Sequence, residues 1–492
     1  MIEIPQIDLT VIAPMLTVFA WASVLLLVDL LVIPRDRKRV TGYLALGGLG
    51  VAALIALPLW GKEATTFTSA PGNPGMVVLD NYALTLTWLF LLIGAISIAI
   101  SLDYLPRQGI EQGEFYPLIL FAVGGMILMA QGTDLIVLFL AIELLSITLY
   151  VLTGFAYPRL SSEEAAMKYL LLGAFAAGFF VYGIALIFGA TGSVNLFEIG
   201  LFMSELEAGV MPLLVLVGVG LVLVAFGFKI ALVPFHMWTP DVYEGSPTPV
   251  AAFMSVGTKG AALAGLLRIL EIAVPTLADG WTPILWMMAA LTMIWGNVAA
   301  LVQNNIKRML AYSSIGHAGY ILLGIMSVSE RGTQGFLYYL LAYALTNLGA
   351  FAVVIALEQR GESAWSINDF NGLWKRQGML AVAMAVFMIS LAGVPPTAGF
   401  VGKFYVFTAA WESGLGWLVL IAVTTSAIAA FFYLRIVVRM FMHEPVREVQ
   451  PLLYRGLSIG IGVSAVGVML FGLIPTPIVA LARQSIITAL GG

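Results

Sequence analysis

Five ionisable residues in this sequence stand in segments where such residues are costly. Glu143 lies in DLIVLFLAIELLSITLYVL, Lys229 in GFKIALVPFHMW, Lys259 in AAFMSVGTKGAALAGLL, His317 in MLAYSSIGHAGYILLGI and Lys403 in GVPPTAGFVGKF. Each apolar run approaches the roughly 20 residues that a helix needs to cross a bilayer. A charge at mid-membrane costs roughly 2.5–3.5 kcal/mol, so five of them in five segments are not incidental. Lys, Glu and His alternate between charged and neutral forms, whereas Arg stays charged. That choice of residue types is the chemistry of a proton relay.

The surroundings of each residue add detail. Lys229 stands about one turn before Pro234, which has no N–H to give to the carbonyl of Ile230. A freed carbonyl at membrane depth needs water or a polar partner. Glu143 is flanked by apolar residues on both sides, so it needs a proton or a cation, and Lys229 is the candidate cation. A contact between them that opens and closes would change the proton affinity of both. Lys259 is surrounded by small residues that permit close helix packing. His317 has Tyr312, Ser313 and Ser314 nearby as candidate hydrogen-bond partners for its two nitrogens. Lys403 follows Pro395 and Pro396, which free the carbonyls of Leu391 and Ala392.

Two further residues extend the series. Lys168 opens an apolar span and is expected to approach Glu143. His236, with Asp241 and Glu244, lies in a polar turn after the Pro234 break, a candidate proton entry. Plainer roles stand against each: lysines near span ends snorkel to the interface, a lone histidine often packs in a core, and loop acids are usually solvated. Arg268, Glu271 and Arg435 are expected at the membrane interfaces. Nothing in the pattern indicates an aromatic cage or a roomy polar cavity for an organic solute.

These side chains must be held by membrane-spanning helices. The 492 residues are 61% hydrophobic and 10% charged, against about 25% charged in soluble domains. The apolar runs are too long for barrel strands. Hydropathy predicts an all-α polytopic membrane protein with about fourteen spans, centred near residues 22, 50, 91, 122, 145, 177, 222, 260, 293, 318, 346, 394, 428 and 468. Basic residues favour the odd-numbered loops, among them Arg35, Arg107, Arg159, Lys307, Arg308, Arg360, Lys375, Arg376, Arg447 and Arg455. The positive-inside rule then places those loops in the cytoplasm and both termini on the outer side of a cell membrane. The first span carries no basic leader and is expected to remain as an anchor.

The Pro-interrupted segments LVPFH and GVPPTAGFVGKF lie five predicted spans apart, each with one lysine nearby. An odd offset inverts topology, so the expectation is two inverted five-helix repeats with helices 7 and 12 broken. The organisation predicted is residues 1–110 for three N-terminal helices, 111–275 for the first repeat, 276–445 for the second and 446–492 for a last helix. The sequence has no Cys and three His, which excludes disulfides, iron–sulfur clusters and thiolate metal sites built from this chain. No metal site, cofactor site or nucleic-acid partner is indicated; the bilayer is the expected surrounding.

The segments FKIALVPFHMWTPDVYEGSPTPV, SVGTKGAALAGLLRIL, FLAIELLSITLYVLTGF, SSEEAAMKYLLLGAF, NIKRMLAYSSIGHAGY and SLAGVPPTAGFVGKF together resemble the antiporter-like membrane subunits of proton-translocating NADH–quinone oxidoreductase, respiratory complex I. The turn WTPDVYEGSPTPV favours the N-type branch. The resemblance implies two inverted half-channels joined by a hydrophilic axis, with the family's axial glutamate, lysines and histidine falling on Glu143, Lys229, Lys259, Lys403 and His317. It implies a translocase subunit without a redox centre, coupled to quinone reduction elsewhere. NADH or ferredoxin, FMN, iron–sulfur clusters and quinone would belong to partner subunits, and the direct partners would be other membrane-arm subunits. A subunit of a multi-subunit sodium–proton antiporter is the alternative of shared ancestry.

Overall fold

The computed structural model describes residues 7–68, 74–206, 212–359, 365–445, 453–485 and 487. Arg360 and Arg447 of the loop argument lie outside these. The chain is a helical bundle. The N-terminal part holds α1 (Leu9–Leu31), α2 (Arg39–Ala56), α3 (Asn81–Ser101) and the short α4 (Tyr104–Gln108). An antiparallel pair, β1 (Ala64–Thr66) and β2 (Val77–Leu79), closes the link between α2 and α3. Next come α5 (Phe115–Gln131), α6 (Leu135–Thr153), α7 (Leu160–Thr191), the short α8 (Leu196–Glu205), α9 (Leu213–Ile230), α10 (Trp238–Gly245) and α11 (Thr248–Arg268). The following stretch holds α12 (Ala278–Leu301), α13 (Ile306–Met326), α14 (Glu330–Leu357), α15 (Leu373–Arg376), α16 (Gly378–Ala392), α17 (Ala398–Glu412) and α18 (Gly416–Met442). The last two helices are α19 (Arg455–Leu473) and α20 (Thr476–Arg483).

Among the described residues twelve helices are long and apolar enough to cross a membrane, and α5 and α16 are shorter apolar helices. Of the fourteen centres expected from hydropathy, all but one fall inside these helices; the centre near 394 falls in the gap between α16 and α17. The core is formed by α11, buried along its whole length, with α13 and α14 buried nearly as fully. Helices such as α7 and α19 leave most of their apolar surface uncovered, as lipid-facing helices do. Small residues let α11 sit at the centre: a Cβ on Gly257 would lie 2.4 Å from Cε of Met126 on α5.

The two interruptions share one backbone device. Ala231 ends α9 with φ 66°, and its N–H donates to the carbonyls of Gly227 and Phe228. Gly393 ends α16 with φ 81°, and its N–H donates to Ile389 and Ser390. Both are left-handed C-caps. Each stands three residues before a proline, Pro234 and Pro396. The helices therefore stop before the prolines rather than at them; the prolines prevent resumption of the same helix. The stretch expected to be a polar turn is instead the helix α10. Pro240 falls in its first turn, where a missing N–H removes no helical bond.

Candidate functional site

Lys229, Lys259, His317 and Lys403 are 3%, 2%, 2% and 4% exposed, so none is snorkelling at an interface. Lys229 projects from the last turn of α9 into a group of rings. Its Nζ lies 5.5 Å from the ring centre of Tyr150 on α6, 5.0 Å from Tyr169 on α7 and 5.6 Å from its neighbour Phe228. It donates to the Tyr169 hydroxyl at 3.4 Å, and Trp238 of α10 stacks on Tyr169 at 4.6 Å. Aromatic faces attract a cation within about 6 Å. The cage that the sequence pattern did not indicate is thus present, closed around the protein's own lysine.

Glu143 is half-buried and shares its face of α6 with the exposed Leu140 and Ile147. Among the described residues no ion pair joins it to Lys229, although the two charges act on one another. The expected contact is open in this structure. Lys168 does not pair with Glu143 either. It bonds Glu164, one turn earlier on α7, at 2.7 Å and Asp241 of α10 at 2.8 Å, because α10 packs along α7 and brings its acidic edge there.

Beyond Lys229 further buried polar groups are bonded to one another in separate sets through the core. Lys259 donates to the Ser314 hydroxyl. The adjacent Ser313 hydroxyl meets that of Tyr433 at 2.5 Å, and Tyr433 lies 3.1 Å from His317 Nε2. His317 Nδ1 is 2.9 Å from the Tyr339 hydroxyl, and Tyr343 stacks on the imidazole at 5.0 Å. The histidine's partners are therefore tyrosines of α14 and α18. Ser313 reaches it through Tyr433, while Ser314 serves Lys259. Tyr320, one turn beyond His317 on α13, donates to Thr425 at 3.1 Å and accepts from Asn297 at 2.9 Å. Lys403 Nζ stands 5.1 Å over the Tyr320 ring. It donates to Leu391 O at 2.9 Å, Ala392 O at 3.0 Å and Ser426 Oγ at 2.7 Å. Those are the carbonyls singled out from Pro395 and Pro396, so a lysine of one half-helix caps the open end of the other.

His236, Asp241 and Glu244 are not simply solvated. His236 is 9% exposed and lies edge-on to Trp295 at 6.1 Å. Asp241 accepts from Lys168 and from Arg308, each at 2.8 Å, and Glu244 accepts from Arg308 at 2.8 Å and Asn305 at 2.7 Å. Burial pushes the Asp241 carboxyl up, but its bonds to Lys168 and Arg308 outweigh that and hold it below the usual carboxylate range. Arg268, expected at an interface, is fully buried in a bidentate pair with Asp80 at 2.9 and 3.0 Å. Among the described residues no cluster of His, Asp or Glu is placed to hold a metal ion.

The family described as NADH:quinone oxidoreductase/Mrp antiporter, TM, matches residues 132–429, which hold every one of these polar groups except Asp80 and Tyr433. The chain belongs to this family. Within it, "NADH-quinone oxidoreductase subunit N" of Chloroflexus aggregans is 65% identical, covering 100% of this chain and 99% of the relative. "NADH-quinone oxidoreductase subunit N 2" of Roseiflexus castenholzii is 56% identical over 99% of this chain and 98% of the relative. A chain of respiratory complex I from Thermus thermophilus superposes with a TM-score of 0.81 at 35% identity, covering 96% of this chain and 99% of that one. A chain of the Mrp complex from a Dietzia species superposes with a TM-score of 0.84 at 22% identity, over 97% of each; at that identity the likeness shows the fold alone. Membership in the family carries the polytopic membrane architecture with it.

Proposed function

We propose that this chain is the N-type membrane-arm subunit of a proton-translocating NADH–quinone oxidoreductase, held among other membrane-arm subunits in a cell membrane. Its relay is Glu143, Lys229, Lys259, His317 and Lys403, with Lys168 and His236 at the entry. The observation that carries this reading is the set of buried, hydrogen-bonded polar groups in the core, in which Lys259 bonds Ser314 while the next residue, Ser313, bonds Tyr433 and Tyr433 in turn bonds His317. Quinone reduction takes place in partner subunits, which hold the FMN and iron–sulfur clusters and accept electrons from NADH or ferredoxin. The odd-numbered loops face the cytoplasm and both termini the outer side.

Rearranged charge from the neighbouring subunit opens and closes the Glu143–Lys229 contact. With the carboxylate close, Lys229 holds its proton; with it distant, burial and the ring cage alone decide. Burial disfavours the charged form of any ionisable group. Moving one charge against 100 mV costs about 2.3 kcal/mol. A hundredfold change in proton affinity supplies about 2.7 kcal/mol, enough for one such step. Protons then pass by Lys259 and His317 to Lys403.

Affinity purification of the intact assembly tests this assignment. Flavin and iron–sulfur proteins should copurify with the chain in stoichiometric amounts. Recovery with small membrane subunits alone would assign it to an antiporter assembly instead.

A further inference from the structure

Among the described residues, the lysines that stand over tyrosine rings are Lys229 and Lys403, those of the two interrupted segments. The seat of Lys403 is the more completely built. An ammonium group has three N–H donors and no acceptor. Lys403 Nζ meets three acceptors, Leu391 O at 2.9 Å, Ala392 O at 3.0 Å and Ser426 Oγ at 2.7 Å. Gly393 admits its stem closely, since a Cβ there would lie 2.7 Å from Lys403 Cδ. The Tyr320 ring, 5.1 Å away, supplies a further wall. Tyr320 is fully buried on α13, and three other helices fix its ring. Asn297 of α12 donates to its hydroxyl at 2.9 Å, Thr425 of α18 accepts from it at 3.1 Å, and Phe407 of α17 lies edge-on at 5.8 Å. Both anchors are tied to their own helices, Asn297 Nδ2 to Met293 O at 2.6 Å and Thr425 Oγ1 to Ile421 O at 2.8 Å. Lys403 and Phe407 are one turn apart on α17, and the ring meets both.

We propose that Tyr320 is a positioning residue for Lys403: its ring face holds the ammonium form against the three acceptors, and Asn297 and Thr425 hold the ring. This rests on the relay reading and deepens it at one station. The face of an aromatic ring carries negative charge and attracts a cation; it gives the neutral amine no such advantage. A desolvated contact of this kind favours the cation by about thirtyfold. No bond is made or broken at Tyr320. The ring acts on the charge alone, and its hydroxyl serves to keep the face turned to the lysine.

The test uses the assembled complex in sealed membrane vesicles, with protons moved per quinone reduced as the readout. Tyr320→Leu removes the ring and should lower the ratio toward that of Lys403→Ala; Tyr320→Phe restores the ring and should recover most of the loss. Combining Tyr320→Leu with Lys403→Ala should lower the ratio no further than Lys403→Ala alone. The sharper readout is a series of phenylalanines at position 320 bearing one, two and three ring fluorines. Fluorine drains charge from the ring face while nearly keeping its shape, so the ratio should fall stepwise along the series. A purely structural ring would give the same ratio throughout. A flat series, with a lowered ratio in Lys403→Ala, overturns the role of Tyr320 and leaves the relay standing. A normal ratio in Lys403→Ala overturns the relay and this role with it. Should Tyr320→Leu fail to assemble, the fluorine series decides by itself, because every member keeps the ring.

Discussion

Arg268→Met removes one partner of a fully buried ion pair and leaves the other. Arg268 and Asp80 are both 0% exposed, joined by two bonds of 2.9 and 3.0 Å. The guanidinium also donates to Ala130 O at 3.0 Å and stands 5.0 Å over the Tyr82 ring. It therefore ties the end of α11 to α3 and α5. Breaking a buried pair from one side costs about 3–5 kcal/mol, because a charge is left without compensation in a dry interior. At 1.4 kcal/mol per factor of ten, that is about a hundredfold to a few thousandfold more of the opened form. Asp80 is also the N-cap of α3, accepting from the Ala83 N–H at 2.7 Å, and Asn is as good a cap as Asp. The double variant Asp80→Asn with Arg268→Met keeps the cap and strands no charge, so it should lose less than Arg268→Met alone. The assay is the thermal midpoint of the purified complex together with the amount of assembled subunit in the membrane. A single variant as stable and abundant as the unaltered protein, or a double variant worse than the single, would refute the reasoning.

Two smaller perturbations follow from the same geometry. A Cβ on Gly173 would lie 2.0 Å from the Tyr150 hydroxyl, and ordinary contact begins near 3.4 Å. Gly173→Ala must therefore push that ring end by about 1.4 Å (3.4 − 2.0) at an overpacking cost of about 1–3 kcal/mol. Because Tyr150 lines the Lys229 cage, proton pumping should fall, while Gly178→Ala on the same helix, with nothing within 4 Å, should not alter it. Asp241 is held below its ordinary value of 3.8, so its contribution to stability is present above that pH and is lost as pH falls through the lowered value. Asp241→Asn should flatten that acid limb of the thermal-midpoint profile, by less than about 1 kcal/mol because the partners are partly exposed; an unchanged limb would show that Lys168 and Arg308 are not what holds the carboxylate.

How much was legible in the sequence depends on where each partner lies in the chain. Lys403 was readable together with its acceptors, because the prolines that free Leu391 and Ala392 stand within about three turns of it. The burial of Lys259 and His317 followed from long apolar flanks. Of the rings around Lys229, Tyr169 stands sixty positions and Tyr150 seventy-nine positions earlier in the chain, and no local spacing announces such a cage. Lys168 was misplaced for a related reason. Its neighbours are set by how α10 folds back after the break, and α10 reads as a polar turn because Pro240 and the acids stand in it and no side chain caps its start. Arg268 looked like an interface residue because its partner, Asp80, sits nearly two hundred positions earlier.

The most direct test is the ratio of protons moved to quinone reduced in sealed vesicles carrying the complex with Lys229→Ala, assembled to normal abundance. The relay requires this ratio to drop, with the remaining electron transfer no longer supporting the full proton gradient. A ratio equal to that of the unaltered complex would mean that the caged lysine does not carry protons, and the account would fail.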